Sequence, residues 1–152
     1  MNHLFKAMVF IVIVTFGSMS SWAGPTQPST TEKNYFQFAI PNYETKRQGG
    51  QMVNIYVRFA YKKNLPTSEY FDYRTMREDV LKYMEPSNDY PSEVFWEILA
   101  TAMGRELMGK YPLDGISIQL DVINNPDPNA FEPGDHGPIY TVGDILPLDI
   151  HH

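Results

Sequence analysis

The sequence predicts an α+β domain in which two helices cover one face of a four-stranded antiparallel sheet, in the chain order ββααββ. Residues 52–61 and 116–122 alternate apolar and polar side chains with the two-residue period of a strand. Between them, residues 72–85 and 92–110 repeat apolar side chains at helical intervals. Because the strands flank the helices as pairs and do not alternate with them, the sheet is expected to be antiparallel.

The composition limits the classes of function. The 152 residues include 12 basic and 18 acidic side chains, a formal charge of -6, so no nucleic-acid partner is expected. The chain has no cysteine, which excludes disulfides, zinc-thiolate centres and thiol nucleophiles. With 43% hydrophobic residues the chain is expected to fold around a core, and its length suits one domain.

The first 23 residues have the three-part form of a secretory signal peptide. Lys6 precedes an apolar run at residues 8–14, and small residues end the segment at Ala23. A membrane anchor is the alternative, but the apolar run is shorter than the ~20 residues that span a bilayer. We therefore expect cleavage after Ala23, a periplasmic or secreted protein with no membrane partner, a flexible leader at 24–33 and a folded domain at 34–146.

The first two strands are predicted to form a hairpin. Residues 35–40 place large apolar side chains on one side, and Pro41-Asn42 is expected to end this strand. Residues 44–50 contain a glycine pair that permits a tight return into the strand at 52–61.

The first helix has two candidate starts. Asp72 can serve as its N-cap, and Thr75 with Glu78 has the spacing of a capping box. Pro86 is expected to stop this helix.

The second half of the chain supplies a longer helix and two more strands. Ser92 is the predicted N-cap of a helix that runs to about Lys110. Strands are expected at 116–122 and 139–145. Residues 147–152 are predicted to be a disordered tail.

Four short motifs occur in order on these elements. They are Glu44 followed by Gly50-Gln51-Met52-Val53 on the hairpin, Asp72-Tyr73 with Met76 and Val80 on the first helix, Phe95-Trp96-Glu97-Ile98-Leu99-Ala100 on the second, and Tyr140-Thr141-Val142-Gly143 on the last strand. Together they cover about residues 35–146 and resemble the dihydroneopterin aldolases, a family with the tunnelling fold. The resemblance implies an oligomeric barrel with ligand sites between subunits.

The resemblance implies a ligand site around the second helix. A pterin or guanine-like ring presents an amino group beside a ring N–H, and one carboxylate can accept from both. By resemblance Glu97 is this anchor, with Glu44, Asp72 and Trp96 as further substrate-binding residues. The alternative for Glu97 is an ordinary solvated residue of the polar helix face.

Two residues are candidates for proton transfer. By resemblance Tyr73 is a proton donor or acceptor, and its alternative is an aromatic residue that packs on the sheet. Lys46, in the hairpin loop, is the second catalytic candidate.

Two features depart from the family. Its members carry a lysine at the end of the third strand, whereas residues 122–126 here contain none. The predicted export is also unexpected for an enzyme of pterin synthesis. The function implied is therefore binding of a pterin- or purine-like heterocycle, with aldolase or lyase activity left open. The alternatives are a non-catalytic oligomeric scaffold of the cell envelope and an aldolase or epimerase with a relocated base.

The sequence predicts no cofactor and no metal. The metal-dependent tunnelling-fold families need several histidine or cysteine ligands, but the predicted folded part has only His136. A metal site formed by Asp135, His136 and Asp144 is the alternative.

The predicted sheet has two open edges, and such edges can pair with another copy. We therefore expect a homo-tetramer or octamer, with Glu97 of one subunit near the first hairpin of another and the polar sheet face lining a tunnel.

Overall fold

The computed structural model describes residues 34–123 and 135–150. The elements in chain order are β1 (Phe36–Glu44), β2 (Met52–Tyr61), α1 (Tyr73–Met84), α2 (Trp96–Lys110), β3 (Leu113–Val122) and β4 (Ile139–Gly143), with a 3-10 turn at Thr67–Glu69. The strands form one sheet in the order β1-β2-β3-β4, and every neighbouring pair is antiparallel. The predicted α+β class and ββααββ order are confirmed. The predicted signal peptide and leader lie outside the described residues.

The core lies between the two helices and one face of the sheet. The inward side chains of β2 and β3 face each other in register, as in the pairs Ile55–Leu120 and Val57–Ile118, and all four are fully buried. The fully buried residues that the helices contribute are Met76, Val80 and Met84 from α1 and Leu99, Ala100, Met103 and Leu107 from α2. No helix within the two described ranges is both long and apolar enough to span a bilayer.

Strand β1 does not end at Pro41-Asn42 as predicted. Its pairing with β2 continues to Glu44 across a bulge, after which Tyr43 pairs with Val53. Asn42 adopts a left-handed conformation with φ 52°, and its N–H donates to Oδ1 of Asn54 at 2.9 Å. A side chain of the neighbouring strand therefore takes the place of the missing ladder partner.

Helix α1 begins at the first of its two predicted starts. Asp72 is the N-cap, since its carboxylate accepts a hydrogen bond from the Arg74 N–H at 2.9 Å. The alternative capping box at Thr75 and Glu78 is wrong, because both residues lie inside the helix.

Helix α2 begins three residues later than predicted, with Phe95 and not Ser92 at its N-cap position. Its first residue is Trp96, and Ser92 lies in a preceding turn. Gln48 of the first hairpin binds this turn, donating through its backbone N–H to the Ser92 carbonyl at 3.1 Å and through Nε2 to the Val94 carbonyl at 2.9 Å. These contacts hold residues 92–94 out of the helix.

Residues 144–150, here called the C-terminal strap, pack on the sheet face opposite the helices. Leu148 is fully buried, and its N–H donates to Ser117 Oγ at 2.9 Å. Gln119 accepts from the Ile150 N–H at 3.1 Å and donates to the Ile150 carbonyl at 3.0 Å. The prediction of a disordered tail is therefore wrong for residues 147–150. Arg58 and Gln119, on the polar face of the sheet, donate to backbone carbonyls of the strap.

Candidate functional site

The first hairpin loop is attached to the segment that joins the two helices by a buried arginine. The Arg47 side chain is completely buried. Its guanidinium donates to four backbone carbonyls, those of Tyr83 at 3.0 Å, Glu85 at 2.8 Å, Tyr90 at 3.1 Å and Pro91 at 2.7 Å. Burial lowers the pKa of Arg47, and the nearby Glu85 carboxylate offsets this only in part. An arginine pKa starts high enough for the side chain to stay charged.

Two further residues of the loop reinforce this attachment. The Thr45 hydroxyl donates to the Met84 carbonyl at 3.1 Å and accepts from the Arg47 N–H at 3.1 Å. Gln51 accepts a hydrogen bond from Nε1 of Trp96 at 3.2 Å. The hairpin loop therefore fixes where α2 starts, and with it the position of Glu97 in the first turn.

The end of α2 is tied to the middle of α1 by a buried carboxylate. Asp79 of α1 is only 4% exposed and accepts hydrogen bonds from Lys82 at 2.7 Å, from the Tyr111 hydroxyl at 2.6 Å and from Lys110. Burial alone raises the pKa of Asp79, but the hydrogen bonds from Lys110, Lys82 and Tyr111 outweigh it and lower that pKa to about 2. Asp79 is thus charged at neutral pH and holds the end of α2 against α1.

Glu97 lines a shallow groove of about 350 Å³ on the outer side of α2. The residues that line it are Tyr90, Glu97, Ile98, Thr101, Ala102 and Arg105. Glu97 is exposed, and its carboxylate makes no hydrogen bond or ion pair with another residue of 34–123 or 135–150. A flat ring that enters this groove would meet an apolar floor, one aromatic side chain and an unpaired carboxylate.

The other two acidic side chains of α2 and of the segment just before it are both hydrogen-bonded. Glu93 is hydrogen-bonded to the Ser92 hydroxyl, which lowers the pKa of Glu93. Glu106 accepts from the Tyr83 hydroxyl. Glu97 therefore differs from its neighbours in having no protein partner among the described residues.

Both predicted catalytic residues lie away from this groove. The Tyr73 ring packs against Phe36 and Phe38, with ring centroids 5.0 and 5.6 Å away, and so attaches the start of α1 to β1. The Lys46 side chain is 80% exposed, and its Nζ lies 3.5 Å from a carboxylate oxygen of Glu85. Within one chain the structure does not bring Tyr73 or Lys46 to the groove that Glu97 lines.

The remaining predicted binding residues have structural contacts. Asp72 caps α1 and pairs with the Arg74 side chain, and the hydrogen bonds from Arg74 lower the pKa of Asp72 to about 2. Trp96 is 8% exposed and joins the core. Glu44 is exposed at the end of β1, where it pairs with Met52. Their roles in ligand binding stay predictions. In a single chain, none of these three residues lines the groove that contains Glu97.

The alternative metal site finds no support in the structure. No group of three or more potential metal ligands occurs among the residues that the structure describes. Asp144 is instead 3.7 Å from Nζ of Lys63. Asp135 and His136 line a separate cavity of about 320 Å³ with Asp121.

Tyr90 and Arg105 are the groove residues that the sequence patterns did not single out. Arg105 follows Glu97 by eight residues, so helical periodicity alone would have placed both on one face. Tyr90 lies in the segment between the helices, where it is held by Arg47. No sequence pattern links Tyr90 to Arg47, because the hydrogen bond joins residues 43 positions apart.

Comparison with known proteins gives structural matches only. No family model matches the chain, and no curated protein sequence matches it. A Vibrio cholerae protein assigned as a dihydroneopterin aldolase aligns with a TM-score of 0.51 at 16% identity, covering 71% of this chain and 97% of its own.

Two further solved structures align comparably. A Burkholderia thailendensis dihydroneopterin aldolase bound to guanine has a TM-score of 0.50 at 16% identity, covering 73% of this chain and 93% of its own. The E. coli dihydroneopterin aldolase in complex with neopterin has a TM-score of 0.50 at 12% identity, covering 74% of this chain and 100% of its own.

This chain has the tunnelling fold, in which two helices cover one face of a four-stranded antiparallel sheet. Within that class, its fold is the one found in the dihydroneopterin aldolases. The fold that the sequence motifs implied is confirmed.

Proposed function

We propose that this protein binds a pterin- or purine-like heterocycle through the carboxylate of Glu97. The observation that carries the proposal is the unpaired state of Glu97 in a groove with Tyr90 and apolar side chains, while Glu93 and Glu106 have partners. A carboxylate accepts the amino group and the adjacent ring N–H of such a heterocycle with two charge-assisted hydrogen bonds. The guanine and neopterin bound to structures of the same fold are ligands of this chemical type.

The proposal concerns binding, and lyase activity is tested by a separate measurement. The end of β3, at Val122-Ile123, carries no basic side chain. Tyr73 packs on β1 and Lys46 lies in a solvent-exposed loop, so neither is poised in the groove of its own subunit. Release of glycolaldehyde from dihydroneopterin, lost in Tyr73→Phe, would establish the activity.

The setting of this binding is also part of the proposal. We place the mature protein outside the cytoplasm, after cleavage at Ala23. We also expect a homo-tetramer or octamer, because β1 and β4 each have a neighbour on one side only in the sheet of the described residues.

Isothermal titration of the mature protein with neopterin and with guanine tests the binding. The wild type is expected to bind at least one of them, and Glu97→Gln should weaken that binding roughly 10- to 100-fold, because the amide accepts only one of the two donors. Glu93→Gln, which alters an acidic side chain four residues away, is the matched control and should bind like the wild type. Equal binding by the wild type and Glu97→Gln, or no binding of either compound, contradicts the proposal.

A non-catalytic scaffold is the second candidate function. It is favoured by two exposed apolar side chains, Phe95 at 70% exposure and Ile98, which lines the groove, at 50%. Light scattering of the purified protein measures its oligomeric state, and the titration measures ligand binding. An intact oligomer that binds no heterocycle would support the scaffold over the binding function.

A further inference from the structure

A second unpaired charge lies in the groove with Glu97. Arg105 lines the same groove, is exposed, and makes no hydrogen bond or ion pair with another residue of the two described ranges. The guanidinium groups of Arg47, Arg58 and Arg74 donate to protein acceptors, whereas Arg77 of α1 is exposed without a partner in the described ranges, as Arg105 is. Of these two arginines, only Arg105 lines the groove. The groove therefore holds one carboxylate and one guanidinium that are both available to a ligand.

The two charges are too far apart along the helix to pair with each other. Glu97, Thr101 and Arg105 follow one another at four-residue intervals, so they share one face of α2. Eight residues of α-helix rise by about 12 Å, beyond the reach of an ion pair between Glu97 and Arg105. The groove thus has a negative end and a positive end, with Thr101 between them.

The middle of the groove suits the body of a flat molecule. Ile98 and Ala102 give it an apolar surface, and Tyr90 gives it an aromatic side chain. Tyr90 belongs to a segment that the buried Arg47 holds by two carbonyls, so this wall is fixed before any ligand arrives. A ligand that meets all these groups needs a ring with paired donors at one end and an anion at the other.

We propose that the ligand is a phosphorylated heterocycle of the nucleoside monophosphate class, with its ring edge on Glu97 and its phosphate on Arg105. This inference rests on the proposed function, since it takes Glu97 as the anchor of the ring. The guanidinium binds phosphate through two parallel N–H donors, which a lysine at this position could not do. The sugar of a nucleotide would lie beside the Thr101 hydroxyl.

Titration with matched pairs of compounds tests the inference. Guanosine and guanosine 5′-monophosphate are compared on the wild type, on Arg105→Gln and on the control Arg77→Gln, an exposed arginine of α1. The wild type is expected to bind the monophosphate roughly 10- to 100-fold more tightly than guanosine, and the advantage should shrink with added salt. Arg105→Gln should lose that advantage and keep its affinity for guanosine, whereas Arg77→Gln should behave like the wild type.

The outcomes separate this inference from the proposed function. If neopterin or guanosine binds through Glu97 but the phosphate gives no advantage, the inference is wrong and the proposed function stands. An advantage that persists in Arg105→Gln also overturns the inference. If no heterocycle binds, with or without phosphate, both fail. Circular dichroism of each variant confirms that the comparison is made between folded proteins.

Discussion

The guanidinium of Arg47 donates through Nη1 to the carbonyl of Tyr90 at 3.1 Å, across 43 positions of sequence. This hydrogen bond links the first hairpin to the wall of the groove. Three more carbonyls, those of Tyr83, Glu85 and Pro91, accept from the same side chain. The end of α1, the connection between the helices and the hairpin loop therefore depend on one buried cation.

Arg47→Lys should destabilise the protein. The ammonium group has three donors on a shorter, differently shaped head and cannot reach four carbonyls, which leaves buried acceptors unsatisfied. We expect the free energy of unfolding to fall by about 2–4 kcal/mol in urea denaturation. Arg77→Lys, an exposed position on α1, is the control and should change it by less than about 0.5 kcal/mol. Equal stability of the two variants would show that the carbonyl contacts do not matter.

Asp79 should make stability depend on pH in the acid range. Its pKa lies at about 2 in the folded protein against 3.8 ordinarily, so the unfolded chain binds the proton more readily. The stabilisation by this group is therefore complete above about pH 5 and is lost as the pH falls toward 2, an amount of about 2 kcal/mol. Asp79→Asn should be less stable than the wild type at pH 7. Between pH 6 and 2, its free energy of unfolding should fall by about 2 kcal/mol less than that of the wild type.

Denaturation by urea at several pH values measures this difference. Asp89→Asn, which removes an exposed carboxylate, is the control and should follow the wild-type pH profile. Parallel profiles for the wild type and Asp79→Asn would refute the proposed role of the Asp79 charge.

Leu148 should anchor the C-terminal strap. Its side chain is fully buried, so Leu148→Ala is expected to lower the free energy of unfolding by about 2–4 kcal/mol. Leu146→Ala, two residues earlier at a position that is 62% exposed, should have almost no effect. Hydrogen exchange gives a local readout, because the Leu148 and Ile150 amides bonded to Ser117 and Gln119 should lose protection in the first variant only.

Gly143 should tolerate no side chain. It has φ +83°, and a Cβ atom there would lie 2.2 Å from the Asp114 carbonyl oxygen. Gly143→Ala is therefore expected to cost about 2 kcal/mol or more in thermal or urea unfolding. Gly109→Ala, in a helix with nothing within 4 Å of the added atom, should instead stabilise by up to about 1 kcal/mol. Two variants with the same sign would contradict this assignment.

The strands and helices that depend on local pattern were predictable. The bounds predicted for β2 at 52–61 agree with the structure, because its alternation reflects a strand with one face in the core. Asp72 was identifiable as a cap since its hydrogen bond spans two residues. Such features require no knowledge of distant parts of the chain.

The departures at Ser92 and Arg47 have long-range causes. Ser92 has the local properties of an N-cap, but its carbonyl accepts a hydrogen bond from Gln48 of the first hairpin. Arg47 stands between Lys46 and Gln48 in a polar loop and reads as a solvated charge, although it is buried. Glu97 was identified by its sequence motif. The position of Tyr90 in the same groove depends on the tertiary fold and could not be predicted from a local pattern.

The C-terminal strap also bears on how small molecules would reach such a protein. If several copies formed a ring through their outer strands, with the helices outside, the C-terminal strap of each copy would lie on the inner side of the ring. The strap would then form the inner surface of the ring in place of the bare sheet face. A ligand would reach the groove from the outer side of the ring, where α2 exposes Glu97 and Arg105.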